Sequence, residues 1–421
     1  MKGVVAGLVM VLSALAGFRP GKTARAVPAI YVLGDSSLDV GNNNYLPGNS
    51  VPRANKPFHG VDFPGPGGPR PTGRFSNGYN VADFIAKNLG FEGSPPAYLS
   101  LKAHRRLIGT ALLRGVSYAS AGAGILDSTG AGNNIPLSKQ VQYFHSTRAG
   151  MEAKLGSAVV SDLLAESFFL IGIGSNDLIQ FAMAQQAKNK STTQSDVAAL
   201  YGSLISNYSA TITLTWKHKP TKVVSSPTSC QDQPAARLGT STCFIVGTNP
   251  FLFSNTMQDL YMMGARKIGI INVGLSGCIP MVRAHDATGA CNDGTNELAA
   301  GFNGALESFL ADLAPRLPGL ACSLADGFAH RQALIADPQA QGFVNATSAC
   351  CGSGRLGGEA GCLPTSNICG DRDGYVYWDW VHATQRAAKI AADAFFHGPA
   401  QFTMPLTFKQ LAEKKGAGLM E

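Results

Sequence analysis

Two short segments of the 421-residue chain carry residue types that could do covalent chemistry. Gly34-Asp35-Ser36-Ser37-Leu38-Asp39 follows directly on the apolar run Ile30-Tyr31-Val32-Leu33, so a serine stands on a turn at a strand's carboxyl end. Far downstream, Asp379-Trp380-Val381-His382 sets a carboxylate three residues before a histidine. A serine hydroxyl is a weak nucleophile until a base takes its proton, and an imidazole serves best when its tautomer is held. Ser36, His382 and Asp379 supply nucleophile, base and orienter. Of the eight histidines, only His382 has an aspartate at that spacing. No Gly-x-Ser-x-Gly elbow and no His-Glu-x-x-His motif occurs, which argues against an α/β-hydrolase of the usual kind and against a zinc peptidase.

Such residues need elements to hold them. Strand-length apolar runs lie at residues 29–33, 115–119, 168–173, 267–273 and 321–325, each bounded by Gly, Ser, Asp or Asn. Helical patterns lie between them, at 79–89 before Gly90, at 158–164, at 295–313 before Pro315 and at about 384–396. In the last of these, Ala387, Ile390, Ala391, Ala394 and Phe395 recur at helical spacing. Alternating strands and helices imply right-handed crossovers and a parallel sheet covered on both faces.

Ligands of such sheets bind outside the carboxyl ends of the strands, so the residues that follow each run are informative. After the second run comes Ser120-Ala121-Gly122-Ala123-Gly124, whose backbone N–H groups can approach a substrate closely. After the third comes Gly174-Ser175-Asn176-Asp177, with a carboxamide donor at the same edge. Ser36, the Gly122 amide and Asn176 converging there would form an oxyanion hole.

The first 26 residues read as a secretory signal: Lys2, a mostly apolar stretch from Val4 to Leu15, and the small-x-small site Ala24-Arg25-Ala26. No later run of 18 apolar residues exists, so no integral membrane span is expected. Residues 27–405 are taken as one catalytic domain and 406–421 as a C-terminal tail. The formal charge of +7 is concentrated in the signal, with Lys2, Arg19, Lys22 and Arg25, and in residues 215–258; the rest is balanced. That leaves no electrostatic case for nucleic acid.

Nine cysteines behind a signal peptide point to disulfides in an oxidising compartment. Adjacent Cys350-Cys351 and the lack of any Cys-x-x-Cys pair argue against a zinc site. The late cluster of six leaves its connectivity open. Sequons at Asn189, Asn207 and Asn345 are glycosylation candidates consistent with secretion to an extracellular, cell-wall setting.

The chain closely resembles the plant-type GDSL esterase/lipases of the SGNH hydrolase family. The matching segments are Gly34 to Asn44, Pro71-Thr72-Gly73-Arg74-Phe75-Ser76-Asn77-Gly78, Tyr118 to Ile125 and Gly172-Ile173-Gly174-Ser175-Asn176-Asp177. They continue with Gly277-Cys278-Ile279-Pro280, Cys350-Cys351-Gly352 and Trp378-Asp379-Trp380-Val381-His382. The resemblance implies a flavodoxin-like α/β/α sandwich with a mainly parallel five-stranded sheet, hydrolysing carboxylic esters of lipids or other acyl compounds. It implies Ser36 as nucleophile, His382 as base and Asp379 as its partner. Ser36 N–H, Gly122 N–H and the Asn176 side chain would form the oxyanion hole, with no metal and no organic cofactor. An acyltransferase sharing the same acyl-enzyme is the alternative activity.

The chain departs from the family pattern at Ser117, where many members have Asn, and at Ala383, where Pro commonly follows the histidine. A larger departure is the insert at about 215–258, which interrupts the chain ahead of a central strand. It holds Pro220, Pro227, Pro234 and Pro250, the pair Cys230 and Cys243, and no helical or strand period. This lack of pattern favours translation of an unspliced intron over a tolerated surface loop. Were the insert to block assembly, the chain would be a catalytically silent secreted protein.

Overall fold

Strand formation follows the apolar runs. The computed structural model describes residues 25–415 apart from 66–67, 105–111, 189–190 and 210–255. Within it, β1 (Ile30–Gly34), β2 (Phe168–Gly172), β3 (Lys267–Ile271) and β4 (Ala321–Ala325) lie side by side in that order, all parallel. A fifth strand, β5 (Thr403–Met404), pairs antiparallel with β4. The sheet is therefore mainly parallel and five-stranded, but its fifth member is not the run at 115–119.

That run lies outside β1 as an irregular edge. Tyr118 N–H donates to Val32 O at 2.7 Å, while Val32 N–H donates to Val116 O at 3.1 Å. Ser117 N–H turns away to Pro96 O at 3.0 Å, which shares the segment between two neighbours and prevents a continuous ladder.

Successive side chains of a strand point to opposite faces, and this alternation builds two cores. Tyr31, Leu33, Phe169, Ile171, Ile268 and Ile270 enter one; Ile30, Val32, Phe168 and Leu170 enter the other. All ten are fully buried, and each such side chain contributes about 1.5–3 kcal/mol. The main helices, in chain order, are α1 (Val81–Asn88), α2 (Leu137–Leu155), α3 (Ser157–Glu166), α4 (Ser175–Ala187) and α5 (Gln194–Ser209). They continue as α6 (Thr256–Met262), α7 (Asp293–Leu313), α8 (Gly327–Ala336), α9 (Gln385–His397) and α10 (Phe408–Glu413). Helices α2, α3, α5, α6 and α7 line the first core, while α1, α9 and α10 line the second. The result is three layers.

The expected helix at 79–89 begins instead at Val81, because Asn80 forms a capping box with Asp83 and so sits outside the first turn. The stretch set apart as a tail contributes α10, whose Phe408 and Leu411 are fully buried on the sheet. Residues 215–255 of the insert, with Cys230 and Cys243, lie outside the described residues, as do the first 24 and Asn189. Residues 256–258 open α6, and Met257 is fully buried in the first core, so the fold resumes before residue 259. β2 and β3, on either side of the insert, pair in continuous register from Phe168 with Lys267 to Gly172 with Ile271.

A second region, after α8, has little regular structure. Asn345–Ala349 pairs in parallel with Tyr375–Tyr377, and Cys351–Gly352 antiparallel with Asn367–Ile368. Cys350–Cys369 and Cys351–Cys362 staple these pieces, and Cys278–Cys291 closes a loop beyond β3. Cys322 is buried in β4 as a free thiol. Among the described residues no helix is long and apolar enough to cross a membrane.

Candidate active site

The serine turn is made by close approach. A Cβ on Gly34 would lie 2.5 Å from Gly172 O, so only glycine lets β1 end against β2 here. Gln140 brackets the same peptide: its Oε1 accepts from Gly34 N–H and its Nε2 donates to Gly34 O, both at 2.8 Å. Leu38 and Asp39 N–H then donate back to Asp35 O at 3.2 and 3.0 Å, closing the turn. Asp35 is buried, and its carboxylate accepts from Ser37 N–H and Ser37 Oγ. Ser36 is left at the apex, partly exposed, on the wall of a cleft of about 210 Å³.

His382 reaches this apex from the other end of the chain. Its Nε2 lies 2.8 Å from Ser36 Oγ, and its Nδ1 lies 2.8 Å from both Asp379 oxygens. The carboxylate fixes the Nδ1–H tautomer, which leaves Nε2 free to accept the serine proton. Asp379 Oδ1 also accepts from Val381 N–H at 2.9 Å and His382 N–H at 2.8 Å, so one buried carboxylate shapes the loop it belongs to. Trp378 N–H donates to His382 O at 2.7 Å and closes that loop. Burial pushes the Asp379 carboxyl up, but the imidazoles of His382 and His59 outweigh it and hold it well below the usual carboxylate range. His59 Nε2 lies 3.9 Å from Asp379 Oδ2.

Asn176, in the first turn of α4, lines the same cleft, and its Nδ2 donates to Ala123 O at 2.9 Å. That bond ties the segment beyond β2 to the Gly122 turn. Gly122 has φ 81°, and its carbonyl accepts from Asn134 Nδ2 at 2.8 Å. Among the described residues no hydrogen bond occupies the N–H of Ser36 or Gly122. Gly122 itself does not line the 210 Å³ cleft, whereas Ser36, Asn176 and His382 do.

A buried polar network that carries no reaction chemistry holds these loops together. Asp39 Oδ1 accepts from Gly41 and Asn42 N–H, and its Oδ2 accepts from Ala121 N–H at 3.0 Å, linking the serine turn to the Gly122 turn. Burial pushes Asp39 up to about 6 against those backbone hydrogen bonds. Asn42 Nδ2 donates to Ser117 and Ala119 O, Asn43 Nδ2 to Ala121 O, and Asn80 Nδ2 to Asp39 O. Ser117 Oγ, at the first departure, has no partner among the described residues; its backbone accepts the Asn42 bond instead. Asp177 accepts from Ile125 and Leu126 N–H and Thr129 Oγ1, anchoring α4 to the loop after Gly122.

Asp39, Asn42, Asn43, Gln140 and His59 have structural tasks that their residue types and spacing do not announce. The mostly polar segment Asp39 to Asn44, which begins five residues beyond the end of β1, is the one signal in the sequence for three of them. Gln140 and His59 are solitary, and nothing in their surroundings along the chain marks them. Asn207 lies within α5, and Asn345 Oδ1 accepts from Thr347 and Ser348 N–H in a turn. Among the described residues no group of His, Cys, Asp or Glu is arranged to hold a metal ion.

A linear Ser–His–Asp arrangement at the carboxyl edge of a parallel sheet is the constellation of serine hydrolases. The chain belongs to the GDSL-like lipase/acylhydrolase family, whose model matches residues 30–395. It is 33% identical over 398 residues to the GDSL esterase/lipase At5g55050 of Arabidopsis thaliana, covering 93% of this chain and 91% of that protein. It is 32% identical to GDSL esterase/lipase At5g37690 over 92% of this chain and 93% of that one, and 31% identical to GDSL esterase/lipase At4g16230 over 97% of each, both from the same plant.

Proposed function

We propose that this family member is a secreted enzyme that hydrolyses carboxylic esters through an acyl-enzyme on Ser36. The observation that carries this reading is the unbroken chain from Asp379 to His382 to Ser36, with both links at 2.8 Å, opening on a cleft at the strand ends. His382 Nε2 takes the hydroxyl proton as Ser36 Oγ bonds to the ester carbonyl carbon. Asp379 stabilises the imidazolium that results. The tetrahedral oxyanion accepts from Ser36 N–H, Gly122 N–H and Asn176 Nδ2, and His382 returns the proton to the departing alcohol. Water then repeats the sequence on the acyl-enzyme and frees the acid. Each oxyanion donor is worth about 10²–10³ in kcat in comparable sites.

The relatives are named esterase/lipases, which agrees with ester substrates. Three disulfides and the sequence of the first 26 residues support the secretory route. The deciding measurement is hydrolysis of a p-nitrophenyl ester by Ser36→Ala. Turnover should vanish while the melting temperature stays; a variant that still hydrolyses the ester overturns the assignment.

A further inference from the structure

The catalytic cleft contains two buried donors that the reaction above does not use. Arg331, in the second turn of α8, and Tyr377, just before the Trp378–His382 loop, both line it. Tyr377 is 2% exposed, and its enclosed hydroxyl has no hydrogen-bond partner among the described residues. Arg331 Nη1 is likewise enclosed and unpartnered, with the guanidinium carbon 5.2 Å from the centre of the Tyr377 ring. The two side chains are therefore neighbours, the guanidinium lying against the Tyr377 ring.

A buried guanidinium N–H and a buried phenol left without acceptors are unfavourable, and an occupant that supplies acceptors relieves both. Among the described residues that line this cleft, Arg331 is the only Arg or Lys. The nearby acids are committed elsewhere. Asp35 is held by Ser37, and Asp326 accepts from Asn272 Nδ2 and from Ala329 N–H as the cap of α8. His330, beside Arg331, is packed against Phe395 and Phe402, and burial together with the Arg331 charge pushes it down to about 4. It is neutral near pH 7 and adds no competing charge. Burial raises the Tyr377 phenol, which keeps it a donor.

We propose that Arg331 and Tyr377 form an anion-accepting subsite of the catalytic cleft, and that the preferred substrates are esters carrying a free carboxylate. A planar carboxylate matches a guanidinium edge and has a second lone pair for the phenol. The acid can sit on the acyl half or on the alcohol half of the ester. This inference rests on the ester-hydrolase reading of the same site.

Two matched pairs test it, each corrected for spontaneous hydrolysis. Mono-p-nitrophenyl adipate against p-nitrophenyl hexanoate places the charge on the acyl half. 4-Carboxyphenyl butyrate against 4-methylphenyl butyrate places it on the alcohol half. The acidic member of one pair should show kcat/KM higher by about tenfold or more, chiefly through KM. Arg331→Met should erase that preference, Arg331→Lys should keep part of it, and the near-isosteric Tyr377→Phe should weaken it. Absence of preference in both pairs, or a preference that survives Arg331→Met, overturns the proposal and leaves an ordered water as the occupant of the site. A binding readout separates this from failure of the hydrolase reading. In Ser36→Ala, calorimetry with the uncleavable mono-anilide of adipic acid and with hexananilide should show tighter binding of the acid, lost on adding Arg331→Met. Binding without turnover in the native chain would sustain the subsite and sink the hydrolase; turnover with equal binding would do the reverse.

Discussion

The proposed nucleophile and its proposed base are held by two different kinds of architecture. Ser36 stands at the end of β1, inside a sheet whose strands are buried on both faces, and its turn is locked by Gln140, Gly172 and Asp39. His382 stands in a loop that follows a three-residue strand, in a region where two cystines replace long ladders. On one side position comes from cooperative burial and on the other from local covalent closure. The sheet side should tolerate small losses of packing without moving Ser36. The cystine side has few apolar contacts in reserve, so its geometry depends on the staples and on Asp379.

The contrast is sharpest at Asp379. Asp379→Asn removes the acceptor for Nδ1–H and should lower kcat by about 10⁴ while far-UV circular dichroism stays native, since the sheet does not depend on it. Stopped assays and spectra on the same sample check this.

Next in size is removal of both cystines of the second region, with serine at Cys350, Cys351, Cys362 and Cys369. Each closure is worth about 3 kcal/mol, and activity should be lost at urea concentrations below those that melt the helices. Coincident loss of activity and helix signal would erase the distinction between the two regions.

Leu170→Ala, in the centre of β2, probes the other side. It should cost about 2–5 kcal/mol in urea unfolding yet leave kcat at low temperature nearly unchanged. A large fall in kcat would show that the sheet is not the stiffer support.

The smallest expected effect is on pH. Asp39, pushed up to about 6 by burial, binds a proton in the fold that the unfolded chain has already lost above about 4, so its contribution falls as pH rises through that window. Asp379 is held low, so its contribution is present above about pH 4 and is lost as pH falls below that. Unfolding free energies from urea titrations between about pH 4 and pH 6 should therefore fall with rising pH by on the order of 1 kcal/mol in wild type and by less in Asp39→Asn.

Four of the five strand-length runs emerge as parallel strands of the sheet, because a run buried on both faces must be apolar at every position. The run at 115–119 failed as a strand because Ser117 bonds across to Pro96, a neighbour that no periodicity reveals. Thr403–Met404 was missed for the opposite reason: two residues at an antiparallel edge carry no period at all. Among site residues, Ser36, Asp379 and His382 were legible because their spacing has a chemical meaning. Gln140, more than a hundred residues from Gly34, has meaning only once the chain has folded.

By itself the sequence determined the candidate reacting groups and most of the sheet that carries them. Both are local properties, one of residue type at fixed spacing and the other of apolar runs long enough to be strands. Tertiary structure alone decided that His382 meets Ser36 across 346 positions, that Asp39 and Asn42 serve the neighbouring loops, and that Arg331 and Tyr377 stand unmet in the same cleft. The physical reason is that a hydrogen bond between distant residues depends on how two layers pack, and packing leaves no periodic mark along the chain.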